Sequence, residues 1–101
     1  MQDAEILDRL GAFAIVLECV PAELAEHITV KTKAATIGIG AGPATDGQVL
    51  VLHDMLGIRS SVKPRFVREY THLETEIKDA VREYAIDVRS NNFPAADESF
   101  R

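Results

Sequence analysis

Ala12-Phe13-Ala14-Ile15-Val16-Leu17-Glu18-Cys19-Val20-Pro21 is the stretch on which the fold turns. Six apolar residues run from Ala12 to Leu17, with β-branched Ile15 and Val16 at the centre. Such a run reads as a strand buried on both faces, as in a parallel sheet. It ends on a carboxylate, Glu18, three residues before a proline suited to a first helical turn. Alternation places Phe13, Ile15 and Leu17 on one face, large enough to pack under helices, and Ala14, Val16 and Glu18 on the other. With the smaller face turned into an α/β barrel, Glu18 stands at the carboxyl end of its strand, where such barrels keep their chemistry.

Working outward, Ala4 to Leu10 has the spacing of a short helix, closed by Gly11 in a left-handed cap. Pro21 to about Val30 is a second helix, with Glu23 and Glu26 in its early turns. Thr36 to Gly42 is a second strand entering a glycine-rich loop, and Gln48 to His53 is a third apolar strand. The predicted strands therefore lie near 12–18, 36–41 and 48–53. Arg59 to Lys63 is polar and loop-like, and Pro64 opens a helix near 64–70. Thr71-His72-Leu73-Glu74 has the form of a capping box and starts a longer helix over 71–90. Phe66, Tyr70, Leu73, Ile77, Val81, Tyr84 and Val88 form one apolar stripe, of which Phe66, Tyr70, Leu73, Ile77, Val81 and Tyr84 are predicted to be mostly buried, some of them against another subunit. The order of elements is that of an α/β domain, and three strands are too few to close a barrel.

The chain has 101 residues, 47% hydrophobic and 27% charged, with a formal net charge of −5. That length allows one domain with a modest core. The charge offers no basic stripe for nucleic acid, and Arg65, Arg68 and Arg82 are interleaved with acids. One cysteine cannot form an internal disulfide and suits a reducing, cytoplasmic setting. No apolar run is long enough for a membrane span, and the first residues lack the pattern of a signal peptide.

Glu18 is the sharpest candidate for chemistry, as a general base removing a proton beside a carbonyl. The competing reading makes it a charge that caps the following helix start. Gly38-Ile39-Gly40-Ala41-Gly42 has the wrong spacing for a dinucleotide fingerprint. It suits a cradle instead, with Thr36, Gly38 and Gly40 turned toward a bound molecule and Ile37 and Ile39 turned away. His27, His53 and His72 do not reach metal-ligand spacing and read as surface or supporting groups. Cys19 reads as a small buried thiol.

The segments 11–21, 36–42 and 46–54 stand in a particular order and spacing, followed by Lys63-Pro64-Arg65-Phe66-Val67 and Phe93-Pro94. Together they closely resemble the ketopantoate hydroxymethyltransferase family over essentially the whole chain. The resemblance implies part of a (β/α)8 TIM barrel of the phosphoenolpyruvate/pyruvate superfamily, its last three β/α units at the C-terminal side. It implies transfer of a hydroxymethyl group from 5,10-methylenetetrahydrofolate to 3-methyl-2-oxobutanoate, giving 2-dehydropantoate for pantothenate and coenzyme A. It gives Glu18 the role of the base that takes the C3 proton. A magnesium ion is implied too, held by aspartates in the N-terminal half and so outside this chain. The partners implied are the keto acid, the folate and other copies of the enzyme or a complementing N-terminal half. Ala34-Ala35 stands where the family has Ile-Pro, and Glu98-Ser99-Phe100 where it closes with His-Ser-Phe. The alternative is a truncated, inactive remnant or assembly module of the same fold.

Overall fold

In the computed structural model, which describes residues 1–59 and 62–101, the apolar run folds as strand β1 (Ala14–Glu18). Strand β2 (Ala35–Ile39) lies parallel to it, with Ile15 opposite Thr36 and Glu18 opposite Ile39. Helix α1 (Gln2–Arg9) precedes β1, and helix α2 (Ala22–Lys31) makes the crossover between the strands. The sheet is completed by β3, only Gly47–Gln48, parallel to β2 in the order β1-β2-β3. Helices α3 (Leu52–Met55) and α4 (Leu73–Arg89) follow, and a short 3-10 turn (Ala96–Glu98) lies in the tail.

α1 ends as its sequence predicts. Gly11 takes φ +91°, its N–H meets the Asp8 carbonyl, and the N–H of Ala12 meets the Leu7 carbonyl. That pair of bonds satisfies carbonyls left open by the last turn and swings the chain into β1. Ile15 and Leu17 are then buried against Ala25 and Ile28 of α2, in one cluster with Ala4, Ala34 and Ala41. Each large side chain there contributes about 1.5–3 kcal/mol by leaving water. Phe13, expected on this face, lies before the strand begins and is 92% exposed.

Two carboxylates fix β2. Asp8 accepts the N–H groups of Lys33 and Ala34 at 2.9 and 2.8 Å, tying the entry of the strand to the end of α1. Asp46 accepts the Thr36 N–H at 2.8 Å and its hydroxyl at 3.2 Å, while its own N–H donates to the Thr36 oxygen. Thr36 is fully buried, and its hydroxyl also stands 2.8 Å from that of Thr29 on α2. A buried hydroxyl so partnered avoids the penalty of an unsatisfied polar group.

This register corrects the cradle expected of the glycine-rich strand. Thr36 and Gly38 share the helix-covered face with Ile15 and Leu17. A Cβ at Gly38 would lie 2.8 Å from the Thr45 hydroxyl, so the space there is filled by the chain itself. Ile37 and Ile39 share the other face with Val16 and Glu18. That face has no covering layer, and Val16 is 62% exposed.

The third strand is also shorter than predicted. Its ladder reaches only as far as the Val49 N–H on the Gly38 carbonyl, and Leu52 and His53 turn into α3. An apolar run does not by itself separate strand from buried helix, and here no further strand pairs with the outer edge. Residues 64–70 form no helix: a turn at Arg65-Phe66 carries a bond from the Val67 N–H to the Pro64 carbonyl. α4 begins one residue later than the capping box suggests, with His72 at the cap position and no side-chain cap bond. The polar loop expected over 59–63 falls partly on Ser60 and Ser61, outside the described residues.

The stripe on α4 is not buried within the chain. Ile77, Val81 and Tyr84 are each at least half exposed, and among the described residues only Tyr84 of these finds an aromatic neighbour, Phe93, at 5.5 Å edge to face. The radius of gyration is 22.7 Å. A folded domain of this length has about 13 Å. The molecule measures 70 × 28 × 17 Å because α4 projects away from the sheet instead of lying on it.

Candidate functional site

The carboxyl ends of β1 and β2 open toward the same side, as parallel strands must, and the side chains of interest gather there. Glu18 is the last residue of β1, exposed, on the uncovered face of the sheet. The next residue, Cys19, turns the chain with φ +53°, and its N–H donates to the Ile39 carbonyl at 2.9 Å. The last ladder bond thus fixes the backbone beside Glu18 while the carboxylate itself stays unengaged. Among the described residues it makes no hydrogen bond or ion pair. Helix α2 has Pro21 at its cap position and no side-chain cap bond.

Cys19 is free and exposed, where the sequence suggested a buried thiol. The left-handed turn after the strand carries it out of the core and into the wall of a cleft shared with Pro21, Ala22, Arg65 and Phe66. The glycine-rich loop borders the same cleft. Gly40 takes φ +67°, and a Cβ there would stand 2.8 Å from the Phe66 ring. Glycine is what lets the loop turn this way and the ring lie against its backbone.

On the other side of Phe66 a second cleft, of about 580 Å³, is walled by Gly40, Pro43, Gln48, Leu50, Arg68 and Tyr70. Phe66 therefore separates two clefts that both open beside the strand ends. The Arg68 guanidinium lies over the Tyr70 ring at 5.9 Å. The Gln48 amide donates to the Gly42 carbonyl at 2.8 Å and to the Thr45 hydroxyl at 3.0 Å, which holds the floor of this cleft in shape.

The three histidines do not converge on Glu18. His27 is exposed on α2 and His53 is exposed on α3 rather than at a strand end. His72 is exposed beside Glu69, 2.8 Å from its carboxylate, which also pairs with Arg59. Among the described residues, no group of three or more His, Cys, Asp or Glu side chains is arranged to hold a metal ion. No helix among them is long and apolar enough to cross a membrane.

What sequence reasoning missed is the loop from Lys63 to Tyr70 and the bracketing roles of Asp8 and Asp46. The loop's signal was present in Lys63-Pro64-Arg65-Phe66-Val67-Arg68, but its cations were counted as offset by nearby acids.

A family model described as ketopantoate hydroxymethyltransferase matches residues 1–96. The chain is 54% identical over 100 residues to a 3-methyl-2-oxobutanoate hydroxymethyltransferase of Chlorobaculum parvum, which covers 99% of this chain and 36% of that protein. Proteins of the same name from Chlorobaculum tepidum and Porphyromonas gingivalis are 53% and 51% identical, each over 99% of this chain and over 36% and 37% of their own lengths. The chain thus spans little more than a third of the curated relatives it matches.

Proposed function

Because this chain belongs to the ketopantoate hydroxymethyltransferase family, we propose that it supplies the proton-abstracting part of a 3-methyl-2-oxobutanoate hydroxymethyltransferase. Its three parallel strands are three consecutive units of a (β/α)8 barrel whose remaining strands close on the open edges and the uncovered face. The barrel as a whole transfers a hydroxymethyl group from 5,10-methylenetetrahydrofolate to 3-methyl-2-oxobutanoate and yields 2-dehydropantoate for pantothenate synthesis.

The observation that carries this reading is Glu18. It sits at the carboxyl end of a barrel-type strand, on the face that closure turns inward, with no competing partner among the described residues. A carboxylate so placed takes the proton from C3 of the keto acid. The C3–H bond breaks, its electron pair forms the C2=C3 bond of an enolate, and the proton rests on a Glu18 oxygen. The enolate C3 then forms its new bond to the one-carbon unit of the folate as one carbon–nitrogen bond of that unit breaks toward nitrogen, and water replaces the other carbon–nitrogen bond, leaving the hydroxymethyl group and tetrahydrofolate. The Cys19–Ile39 bond keeps the base at a fixed height above the sheet throughout.

Magnesium is expected of this chemistry, but the described residues do not fit it, since they present no set of oxygen donors around one point. Its ligands belong, on this reading, to the part of the barrel outside these residues. A homo-oligomer gives the bare stripe of α4 a surface to cover it. A cytoplasmic setting keeps the exposed Cys19 thiol reduced.

The test is exchange of the C3 hydrogen of 3-methyl-2-oxobutanoate into deuterated water without folate, using the complete enzyme. Glu18→Gln keeps the shape and removes the basicity, and should slow exchange by roughly 10²–10⁴-fold. Binding of the keto acid should change little. Exchange at the parent rate in Glu18→Gln would remove Glu18 from the mechanism.

A further inference from the structure

The connection between β2 and β3 is short for parallel neighbours. Among the described residues no helix joins them, and the chain returns through the seven residues from Gly40 to Asp46. Parallel strands ordinarily need a crossover of a dozen or more residues, most often a helix. Here the connection itself fills the space beside β2, with the Thr45 hydroxyl set over Gly38. A side chain then has to hold the edge that a longer strand would hold.

Backbone directions along β2 show which group needs holding. The Ala35 N–H donates to the Phe13 carbonyl and the Ile39 carbonyl accepts the Cys19 N–H, so these residues face β1. The Gly38 carbonyl accepts the Val49 N–H and faces β3. Alternation turns the Thr36 N–H toward the β3 edge as well. β3, however, begins only at Gly47, opposite Ile37. The Asp46 carboxylate takes that N–H at 2.8 Å and the Thr36 hydroxyl at 3.2 Å, and the Asp46 N–H donates to the same hydroxyl oxygen at 3.1 Å. These bonds close on a fully buried residue and hold β2 against sliding along β1.

Ile39 lies three residues further along the same strand, roughly 10 Å at the rise of a strand. Its carbonyl anchors Cys19, whose left-handed turn follows directly on Glu18, and Glu18 is its partner in the register. A slide of β2 would therefore carry the anchor and the carboxylate beside it together.

We propose that Asp46 is a positioning residue for Glu18: by locking Thr36 it sets the height of the Ile39 carbonyl, and with it the place of the base. The proposal rests on the transferase reading above and adds to it a group with no contact to the reacting atoms. Asp8 provides the control. It too accepts two backbone N–H groups, but at Lys33 and Ala34, before β2 begins.

The experiment follows exchange of the C3 hydrogen of 3-methyl-2-oxobutanoate by the complete enzyme, with keto-acid binding measured separately by calorimetry. Asp46→Ala should slow exchange at saturating keto acid roughly 10–100-fold, as displacement of a reacting group by about an ångström does. The dissociation constant of the keto acid should stay within about twofold, since the loss lies in the reacting step. Asp46→Asn keeps an oxygen at the same reach and should recover most of the rate. Asp46→Glu keeps both oxygens one methylene further out and should remain slow. Asp8→Ala should exchange close to the parent rate. In a Glu18→Gln background Asp46→Ala should cost nothing more, because the base that it places is gone. Exchange at the parent rate in Asp46→Glu overturns the proposal, as does an equal loss in Asp8→Ala, a loss carried by keto-acid binding, or a full further loss on top of Glu18→Gln. The comparison of Asp46→Asn with Asp46→Glu does not depend on the alanine variant folding. If the parent fails to exchange, or Glu18→Gln exchanges as the parent does, the transferase reading falls; if Glu18→Gln is slow while Asp46→Glu is not, only the positioning role falls.

Discussion

Residues 1–49 and residues 50–101 follow the same rules of amphipathic patterning, yet among the described residues the buried cluster is drawn from the first half, and in the second half Val67 is the one buried apolar side chain. In the first half Ala4, Ile15, Leu17, Ala25, Ile28 and Ala34 close over one another, and Thr36 is sealed among them with its hydrogen bonds made. In the second half α4 has no buried residue at all, although its apolar residues recur as regularly as those of α2. The difference is one of partner surface. β1, α1 and α2 meet each other within some 30 residues of chain, whereas the stripe of α4 is left uncovered by the described residues. Periodicity predicts that a face is to be covered; it does not say by what.

The largest effect expected from this contrast is on activity. The 101-residue chain on its own should form no measurable 2-dehydropantoate from keto acid and methylenetetrahydrofolate, since its inner sheet face and α4 stripe both lack their cover. Product formation by the purified chain would show that the second half is complete as it stands. Next comes core packing. In the same chain Leu17→Ala should cost about 2–5 kcal/mol in urea unfolding, as large-to-small core changes do. Ile77→Ala should cost less than about 0.5 kcal/mol there, as surface changes do. In the complete enzyme Ile77→Ala should become as costly as Leu17→Ala, and equal small effects in both contexts would mean that the stripe is never covered.

Smaller effects follow from single bonds. Thr36→Val keeps the shape of a buried side chain but leaves Asp46 and Thr29 without its hydroxyl; a midpoint shift worth about 1–3 kcal/mol is expected. Gly11→Ala forces a side chain into a left-handed turn at φ +91° with open space around it. Backbone strain alone then sets the cost, about 1–2 kcal/mol. Lys78→Ala removes an exposed pair with Glu74 at 3.3 Å and should change stability by no more than about 0.5 kcal/mol. A larger change from Lys78→Ala would place that face of α4 in a contact the chain does not show.

The sequence was most readable where local pattern and tertiary neighbour coincide. β1, α1, α2 and α4 stand close to their predicted bounds, and Gly11 caps α1 as its position suggested. Glu18 was found at its strand end because an apolar run stopping on a carboxylate is visible without coordinates. The errors have a shared origin in pairing. The third strand was read from apolarity alone, but strand length depends on a neighbour at the next edge, and none is present among the described residues. The facing of Thr36 and Gly38 depends on a one-residue choice of register; Asp46 and Thr29 settle it by bonding Thr36 from the helix side. The cationic loop was hidden because sequence counts charges along a line, whereas Arg59 and His72 remove Glu69 from that count only in space.

The two-residue β3 has a consequence for how this chain behaves as it refolds. With β3 so short, most of one margin of β2 beyond its pairing with Gly47 and Gln48, and all of the outer margin of β1, present backbone groups with no strand beside them. Unpaired strand margins beside a bare apolar face are templates for association with any other extended segment. Refolding of this chain is therefore a race between closure and clumping, and its yield should fall as concentration rises. Light scattering during dilution from denaturant would follow that race, and an added segment able to pair with those margins should act on it as a dedicated chaperone does.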